Sequence, residues 1–405
     1  MSTLGKIQQT HQQGLYYNKR IQFLFICILV FIIYSPIINF QFIGLDDQLL
    51  IVDNYKFIKN PGNIFQAFKQ DVFHIQNQQS SATYYRPLFT LSLMFDAQLG
   101  KTSPAFYHFS NIVFHILSCW LIFKLLLQLK IKSETVFILT LLFAVHPTLT
   151  QAVAWIPGRN DSLITIFIVA SFIFFLRFLE SPGKKDLFFH LLFLTGALFT
   201  KEIAVVFIPL CLIYIIYIKN DKLFSTAKLQ LLLYYLIITL IWFFLRKAVV
   251  DGSKADLSFS SLSHNFFNNL PLLIQYIGKL IFPINLSVMP SFGNNIYLII
   301  YTIAILLIGI SIYYSKNKRW NYIFFGIIWF ISFLLPTFLV PILTGFEHRI
   351  YLPMIGFLIL LGEVEILKTD FLKNKKYLSV GLGIVILFVV ITVNHSFAFK
   401  DKISF

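Results

Sequence analysis

Long apolar runs that are almost free of charge constrain this chain more than any other feature of its sequence. Residues 296–314 and 320–340 contain no Asp, Glu, Lys or Arg. A helix needs about 20 apolar residues to cross a bilayer. The chain of 405 residues is 57% hydrophobic and only 13% charged, which leaves too little polar surface for a water-soluble fold of this size. The sequence therefore predicts an all-α integral membrane protein.

Eleven apolar segments are predicted to be transmembrane helices. They are residues 21–39, 105–129, 134–147, 162–179, 187–199, 203–218, 228–246, 296–314, 320–340, 350–367 and 377–394. The fifth is short, so we expect it where the bilayer is thinned or where protein buries it. The first has no small-residue cleavage site and is interpreted as a retained span.

The distribution of Lys and Arg predicts the orientation of these spans. With the N-terminus inside, more than half of the 33 Lys and Arg residues lie in the inner segments, and every short inner connection carries some. This is the pattern of the positive-inside rule. Residues 1–20 are then a cytoplasmic segment, residues 21–394 a polytopic domain, and residues 395–405 an extracytoplasmic stub.

Residues 266–285 are nearly apolar enough to be a further span. Counting them as one would move Lys316–Arg319 to the outer side and break the inner clustering of positive charge. Asn268, Asn269 and Lys279 also interrupt the run. We therefore predict a re-entrant or surface-lying helix on the outer face, where protein covers its backbone.

The net charge of +15 does not indicate a nucleic-acid partner. The basic residues lie in short clusters between apolar runs, as membrane topology requires, and no groove-reading motif accompanies them. Cys27, Cys119 and Cys211 all lie inside apolar segments, so they indicate neither a disulfide framework nor a metal cluster.

The longest polar stretch is the first outer loop, residues 41–104, which is too long for a passive connection. It contains a polar patch from Gln76 to Ser81 and opens with two adjacent carboxylates, Asp46 and Asp47. A carboxylate here could take the proton from an acceptor hydroxyl, or hold a metal. It could equally cap the turn that follows.

Other polar residues also fall at the predicted outer ends of spans. Arg86 could meet a phosphate or pair with an Asp, although such an Arg more often snorkels at the interface. His146 is interpreted as a satisfied residue at a helix end, and Asp161 could cap the fourth span.

Two charged motifs are the stronger candidates for binding an anion. Lys201, in Thr200-Lys201-Glu202, is a compact cation suited to phosphate, with an ion pair to Glu202 as the competing explanation. Glu347-His348-Arg349 is costly beside lipid unless it pairs or lines a wet cavity. Arg349 could bind a phosphate through two hydrogen bonds from its guanidinium, or the triplet could be a structural ion network.

Six motifs occur in the order found in one known family. They are FIGLDDQLLIVDN, YYRPLFTLSLMFD, YHFSNIVFHIL, LLFAVHPTLTQAVAWIPGRNDSL, TKEIAVVFIPL and EHRIYLPMIGF. Over about residues 40–360 the chain resembles the membrane half of the transmembrane-and-tetratricopeptide-repeat proteins, including their bacterial relatives, which are similar to protein O-mannosyltransferases. The resemblance implies a C-type glycosyltransferase fold with eleven spans, a cytoplasmic N-terminus and an outward active site.

The same resemblance implies the donor and the roles of the motif residues. The donor in such enzymes is a polyprenyl-phosphate sugar, commonly mannose, drawn from the membrane lipid. Asp46 or Asp47 would be the base that activates the hydroxyl acceptor, on protein or glycan, and Lys201 would meet the lipid phosphate. Arg86, Glu347, His348 and Arg349 match family motifs with less settled roles. No metal is required in principle, although the Asp pair could bind one.

Two alternatives come from other functional classes. A lipid-linked glycan flippase would carry ionisable residues at mid-membrane, whereas this chain keeps its charges at the outer ends. A catalytically inactive membrane scaffold would bind donor without turnover. Relatives usually continue into tetratricopeptide repeats, and residues 395–405 look like the start of such a linker. In a bacterial host, which the motif variant favours, the site would face the periplasm from the inner membrane; in a eukaryotic host it would face the lumen of the endoplasmic reticulum.

Overall fold

The computed structural model describes residues 18–74, 84–221, 225–250, 258–288, 295–339, 341, 345–368 and 374–404. Over these residues the chain is helical and contains no strand. The predicted polar patch from Gln76 to Ser81 lies outside the described residues, as do three of the lysines predicted on the inner side, Lys6, Lys222 and Lys373.

The first half of the chain supplies nine α-helices among the described residues. They are α1 (Lys19–Tyr34), α2 (Tyr55–Ile58), α3 (Ile64–Ala67), α4 (Pro87–Gly100), α5 (Pro104–Gln128), α6 (Ser133–Ala144), α7 (Thr150–Ala154), α8 (Arg159–Glu180) and α9 (Lys184–Thr200). Short 3-10 turns cover Ser35–Asn39, Pro61–Asn63, Pro147–Leu149 and Ile156–Gly158, and a π-turn covers Gln48–Val52. Proline stands at the start of several of these elements because its fixed φ suits a first helical turn.

The second half begins with a 3-10 turn, Glu202–Val206, that leads into α10. The helices are α10 (Phe207–Ile213), α11 (Thr226–Val249), α12 (Phe259–Ile281), α13 (Asn295–Tyr314), α14 (Trp320–Leu339), α15 (Met354–Leu361), α16 (Glu365–Lys368) and α17 (Lys375–Ser396). A π-turn (Tyr214–Ile218) extends α10, and 3-10 turns cover Glu347–Ile350 and Phe397–Phe399.

Seven helices within the described residues are long and apolar enough to cross a membrane. They are Lys19–Asn39, Pro104–Gln128, Ile156–Glu180, Thr226–Val249, Ile296–Tyr314, Trp320–Leu339 and Lys375–Phe399. A pair bent by 51°, Ser133–Ala144 with Pro147–Ala154, would make an eighth span. The chain is thus a polytopic helical membrane protein, as predicted.

The count of eleven spans and the C-type glycosyltransferase fold stay predictions. Three predicted spans correspond to helices that are short for a membrane span or are interrupted. Residues 187–199 lie in α9, residues 203–218 run through a 3-10 turn, α10 and a π-turn, and residues 350–367 divide into α15 and α16.

The predicted outer segment, residues 266–285, lies largely on the amphipathic helix α12. Two amides on the polar side of α12 reach the end of α14. Asn265 donates to the Leu339 carbonyl and Asn269 donates to the Phe338 carbonyl, both at 3.2 Å. α12 is not among the seven apolar spans, and its re-entrant or surface-lying placement stays a prediction.

The buried core lies around α8, which packs against α5 and α9. Phe172, near the middle of α8, contacts the rings of Phe207, Phe325 and Trp329 and so joins α8 to α10 and α14. By contrast, α11 and α13 present rows of exposed Leu, Ile and Phe side chains. Apolar exposure of this extent suits lipid rather than water.

α14 and α15 pack with their backbones in direct contact. A Cβ atom on Gly356 would overlap the Gly326 carbonyl oxygen and lie 2.8 Å from the Phe330 nitrogen. Small residues at such crossings allow close helix packing in a membrane. The pair therefore forms a fixed support for the segments at both of its ends.

The predicted first outer loop is a packed layer over the ends of α5 and α8. Its short helices and α4 bury a second apolar cluster, which includes Leu50, Phe57, Phe89, Met94 and Ile156. Burial of these side chains stabilises the layer. It also fixes where the polar residues of the loop lie.

Candidate functional site

A cavity of about 290 Å³ lies at the end of the helix bundle where α9 ends and α15 begins. Five charged side chains line it together with apolar ones. The charged residues are Arg86, Asp161, Lys201, Glu202 and Arg349, and the apolar ones are Ile164, Ile203, Val205, Val206, Phe333, Pro336, Leu352 and Pro353. The structure thus brings together the three cations that the sequence predicted as phosphate ligands.

Arg86 is held at the start of α4 by an ion pair. Its Nε lies 3.1 Å from Glu202 Oε2, and Glu202 Oε1 accepts from the Tyr85 backbone N–H at the same distance. The Arg86 guanidinium also lies 4.2 Å from the centre of the Tyr84 ring. Glu202 therefore pairs with Arg86 and not, as considered from the sequence, with its neighbour Lys201.

Lys201 follows the end of α9 in an extended conformation and reaches α8. Its Nζ lies 2.6 Å from Asp161 Oδ1. Burial lowers the pKa of the Lys201 ammonium and Asp161 opposes that shift, while Arg86 and Arg349 lower it further. Three cations within electrostatic reach of one another raise the local affinity for an anion.

Arg349 lies on the 3-10 turn Glu347–Ile350 and has no ion pair among the described residues. Its guanidinium lies 5.2 Å from the centre of the Phe346 ring, and its charge acts on the hydroxyl of Tyr276 on α12. The cavity therefore holds three cations against two carboxylates, with the excess positive charge on Arg349.

The first turn of α8 organises the site through three consecutive residues. Arg159 forms a fully buried ion pair with Asp96 of α4 and donates to the Tyr107 carbonyl at 2.6 Å. Asn160, with its amide oriented to satisfy both ends, donates to the Thr200 carbonyl at 2.9 Å and accepts from Arg86 Nη1 at 2.8 Å.

The third residue of this turn, Asp161, pairs with Lys201 as described above. The sequence alone indicates only a capping role for Asp161 and no role for Arg159 or Asn160. The available signal was three polar residues in succession at the start of an apolar span that is otherwise buried. A span seldom tolerates such residues unless other groups satisfy them.

Asp46 and Asp47 lie in different environments although they are adjacent. Asp47 is buried, and its Oδ2 accepts from the Ile43 N–H at 2.9 Å, while its Oδ1 has no partner among the described residues. Burial raises the pKa of Asp47 to about 8, and Asp46 contributes to the increase. Asp46 is half-buried; burial raises its pKa and the charge of Arg86 opposes the increase.

Glu347 does not line the cavity and instead holds a neighbouring segment in place through buried contacts. It is fully buried, and its Oε1 lies 2.6 Å from Lys279 Nζ and accepts from the Ser287 N–H at 3.1 Å. Its Oε2 lies 3.2 Å from His395 Nε2 at the end of α17. Three separate segments therefore hold the turn that carries Arg349.

His146 and His348 are not among the residues that line the cavity. His146 is fully buried, with its ring nitrogens 3.0 Å from the Leu280 carbonyl and 2.8 Å from Thr148 Oγ1. The backbone N–H of His348 donates to Gln151 Oε1 at 3.1 Å. Within the described residues, no three His, Cys, Asp or Glu side chains come together as metal ligands would.

The fold and this cavity define the class: a polytopic helical membrane protein with a cationic pocket at one end of its helices. No family model matches the chain. It is 28% identical over 387 residues to a protein O-mannosyl-transferase of Caenorhabditis elegans, a match that covers 89% of this chain and 53% of the worm protein. The chain therefore spans about half the length of that relative.

Two vertebrate proteins match shorter regions. Protein O-mannosyl-transferase TMTC1 of Mus musculus is 32% identical over 160 residues, or 36% of this chain and 17% of the mouse protein. Protein O-mannosyl-transferase TMTC3 of Homo sapiens is 29% identical over 180 residues, or 43% of this chain and 19% of the human protein. These similarities confirm the resemblance to the transmembrane-and-tetratricopeptide-repeat proteins.

Proposed function

We propose that this protein is a membrane glycosyltransferase that moves a sugar, with mannose favoured, from a polyprenyl-phosphate donor to a hydroxyl acceptor. One observation carries the proposal. The cavity holds an excess cation, Arg349, and the charge of another lining residue, Arg86, acts on the half-buried carboxylate of Asp46, which does not itself line the cavity. The printed names of the relatives support protein as the acceptor.

The charge of the cavity supports a donor with a single phosphate. A sugar joined to a lipid through one phosphate carries one negative charge, which the single excess positive charge of the cavity matches. Arg349 offers a guanidinium that can bind two phosphate oxygens, and Lys201 offers a compact ammonium. A pyrophosphate-linked donor would carry more charge than the described side chains compensate.

The leaving group needs the same side chains. As the acceptor oxygen bonds to the anomeric carbon, the bond from that carbon to the phosphate oxygen breaks and the lipid phosphate gains charge. Fixed cations in a partly dry cavity stabilise such charge far better than water does. Lys201 and Arg349 would hold the departing phosphate while the anomeric carbon inverts.

We assign removal of the acceptor proton to Asp46. A general base must be ionised at the working pH and must lie within reach of the acceptor. Asp46 is partly accessible and lies within the field of Arg86, whereas Asp47 is buried with a pKa of about 8 and is mostly protonated at neutral pH. Asp47 would then hold the 43–47 turn through its bond to Ile43.

We further propose that the site faces away from the cytoplasm. The predicted orientation of the spans places α9 and α15 with their cavity ends on that side, because the inner connections carry the Lys and Arg clusters. In a bacterium this would be the periplasmic face of the inner membrane. A lipid-borne donor would reach the cavity from the outer leaflet.

A transfer assay tests the proposal. The purified protein in liposomes is given polyprenyl-phosphate mannose with a radiolabelled sugar and a Ser/Thr-rich peptide. We expect labelled peptide with wild type, none with Asp46→Asn, and reduced labelling with Asp47→Asn. Unchanged transfer in both variants would remove the pair from the mechanism. Movement of labelled donor across sealed vesicles without a glycosidic product would instead identify a flippase.

A further inference from the structure

We propose that Trp155 and His348 form the subsite that binds the hexose of the donor, next to the cations that bind its phosphate. The inference rests on the proposed transferase function, which names the phosphate ligands but leaves the sugar without a binding site. The ligand that these two side chains would bind is a neutral hexopyranose ring.

The two rings lie side by side outside the lining of the cavity, and the charges of its three cations act on His348. Their centroids are 5.6 Å apart, and the ring of Phe346 stacks on His348 at 5.4 Å. His348 directly precedes Arg349, which lines the cavity. Flat aromatic surfaces of this kind pack against the C–H faces of pyranose rings.

Both side chains carry polar atoms with no protein partner among the described residues. The indole Nε1–H of Trp155 and the Nδ1 of His348 are buried and make no hydrogen bond there. Buried polar atoms are nearly always hydrogen-bonded, so each such atom requires an explanation. Sugar hydroxyls both donate and accept, and after small side-chain rotations they could satisfy an indole donor and an imidazole nitrogen together.

The backbone of each residue is fixed by a buried amide. Gln151 accepts from the His348 N–H at 3.1 Å and donates to the Val288 carbonyl at 3.2 Å. Asn111 donates to the Trp155 carbonyl at 3.0 Å. The two rings are thus held in place without hydrogen bonds to their own polar atoms, as preorganised binding groups are.

Electrostatics separates this subsite from the phosphate ligands. Burial keeps the pKa of His348 well below its usual value, and the charges of Lys201, Arg349 and Arg86 lower it further. His348 is therefore a neutral imidazole among cations. A phosphate goes to the cations, whereas uncharged hydroxyls suit a neutral ring.

Two probes separate a sugar subsite from a phosphate subsite: farnesyl phosphate, and farnesyl phosphate carrying mannose. Their dissociation constants are measured with the full-length protein in detergent for wild type, His348→Phe and Trp155→Phe. We expect each variant to bind the mannosylated probe about 5- to 10-fold more weakly, the effect of one neutral hydrogen bond. Binding of farnesyl phosphate should not change.

Matched variants act as controls. Arg349→Gln should weaken both probes, and Trp320→Phe, at the far end of α14, should weaken neither. If His348→Phe and Trp155→Phe weakened both probes equally, the two rings would be structural supports and the subsite would be refuted. The use of two variants and of their thermal unfolding midpoints keeps the test valid if one of them folds poorly.

A mannose transfer assay, run beside these binding measurements, separates this inference from the function on which it rests. Transfer of mannose with sugar selectivity unchanged in both variants would refute the subsite and leave the transferase standing. Selective loss of mannose binding without any transfer by wild type would support the subsite and refute the transferase. In a working enzyme we expect His348→Phe to raise the KM for the mannosylated donor more than it lowers kcat.

Discussion

The two ends of the α14–α15 pair contain the same kinds of charged residue and use them differently. At the far end, Glu363 is fully buried and lies 2.6 Å from both Arg319 and Lys368. The spare donors of these cations also have partners. Arg319 donates to the Leu129 carbonyl at 2.9 Å and Lys368 donates to the Asn317 carbonyl at 3.0 Å.

At the cavity end the positive charge is not fully compensated. Arg86 and Lys201 each have a carboxylate partner, while Arg349 has none among the described residues and faces open space. The comparison shows what distinguishes a structural ion network from a candidate binding site. In the structural network each cation has a carboxylate partner, whereas in the candidate site one cation has none among the described residues. Buried ion pairs alone are weak indicators of function, because structural networks contain them too.

The largest expected effect concerns the two buried glutamates. Glu347→Gln leaves the buried Lys279 without a counter-charge and should cost about 3–5 kcal/mol of stability, whereas Glu363→Gln leaves the partly exposed Arg319 and Lys368 and should cost less. Thermal unfolding in detergent measures this loss for both variants. Only Glu347→Gln should also weaken farnesyl phosphate binding, because Glu347 holds the turn that carries Arg349. Equal weakening by Glu363→Gln would break the distinction between the two ends.

The next effect concerns the unpaired cation itself. Arg349→Gln should weaken farnesyl phosphate binding about 10- to 100-fold, since a hydrogen bond to a charged group contributes about 1.5–3 kcal/mol. Arg319→Gln should leave that binding unchanged and lower the unfolding midpoint instead. Titration of each variant with the lipid phosphate gives both dissociation constants. Loss of binding in Arg319→Gln alone would place the anion site at the wrong end.

A third prediction tests the close packing of α14 against α15, which connects the two ends. Gly356→Ala inserts a methyl group into the backbone contact with α14 and should destabilise the fold by about 1–3 kcal/mol. Gly309→Ala, where a Cβ meets nothing within 4 Å, is the matched control and should be neutral or slightly stabilising. Unfolding midpoints of the two variants are compared. Equal midpoints would mean that the α14–α15 contact is not close.

The last prediction concerns a dependence of stability on pH at Asp47. Its carboxyl titrates near 3.8 when unfolded and near 8 when folded, so between those values the folded state holds a proton that the unfolded state lacks. Stability then falls as the pH rises through this window, by at most about 1.4 kcal/mol per unit. Asp47→Asn should remove that fall. A wild type and a variant with parallel pH profiles between pH 5 and 8 would contradict the buried placement of Asp47.

The sequence was informative about the membrane class and about the residues that meet at the cavity. Apolar runs report spans directly because the bilayer requires them. Arg86, Lys201 and Arg349 could be selected because a charge next to such a run is expensive unless it has a role. Their shared environment could be predicted from positive-inside topology, which puts all three on one side.

Pairing within the site could not be predicted in the same way. Lys201 pairs with Asp161, which is 40 residues away in sequence, and Glu347 pairs with Lys279 across 68 residues. Such partners depend on how the helices pack, and no local pattern encodes that packing. Changes of helix type within predicted spans could not be predicted either. Residues 203–218 are apolar throughout, yet the helix there changes type twice.

The most direct test is a cryo-electron microscopy structure of the protein with a short-chain polyprenyl-phosphate mannose bound. The account predicts the phosphate within hydrogen-bonding distance of Lys201 and Arg349, and the mannose against Trp155 and His348. Phosphate density beside Arg319 and Lys368, with the cavity at the start of α15 left empty, would contradict it.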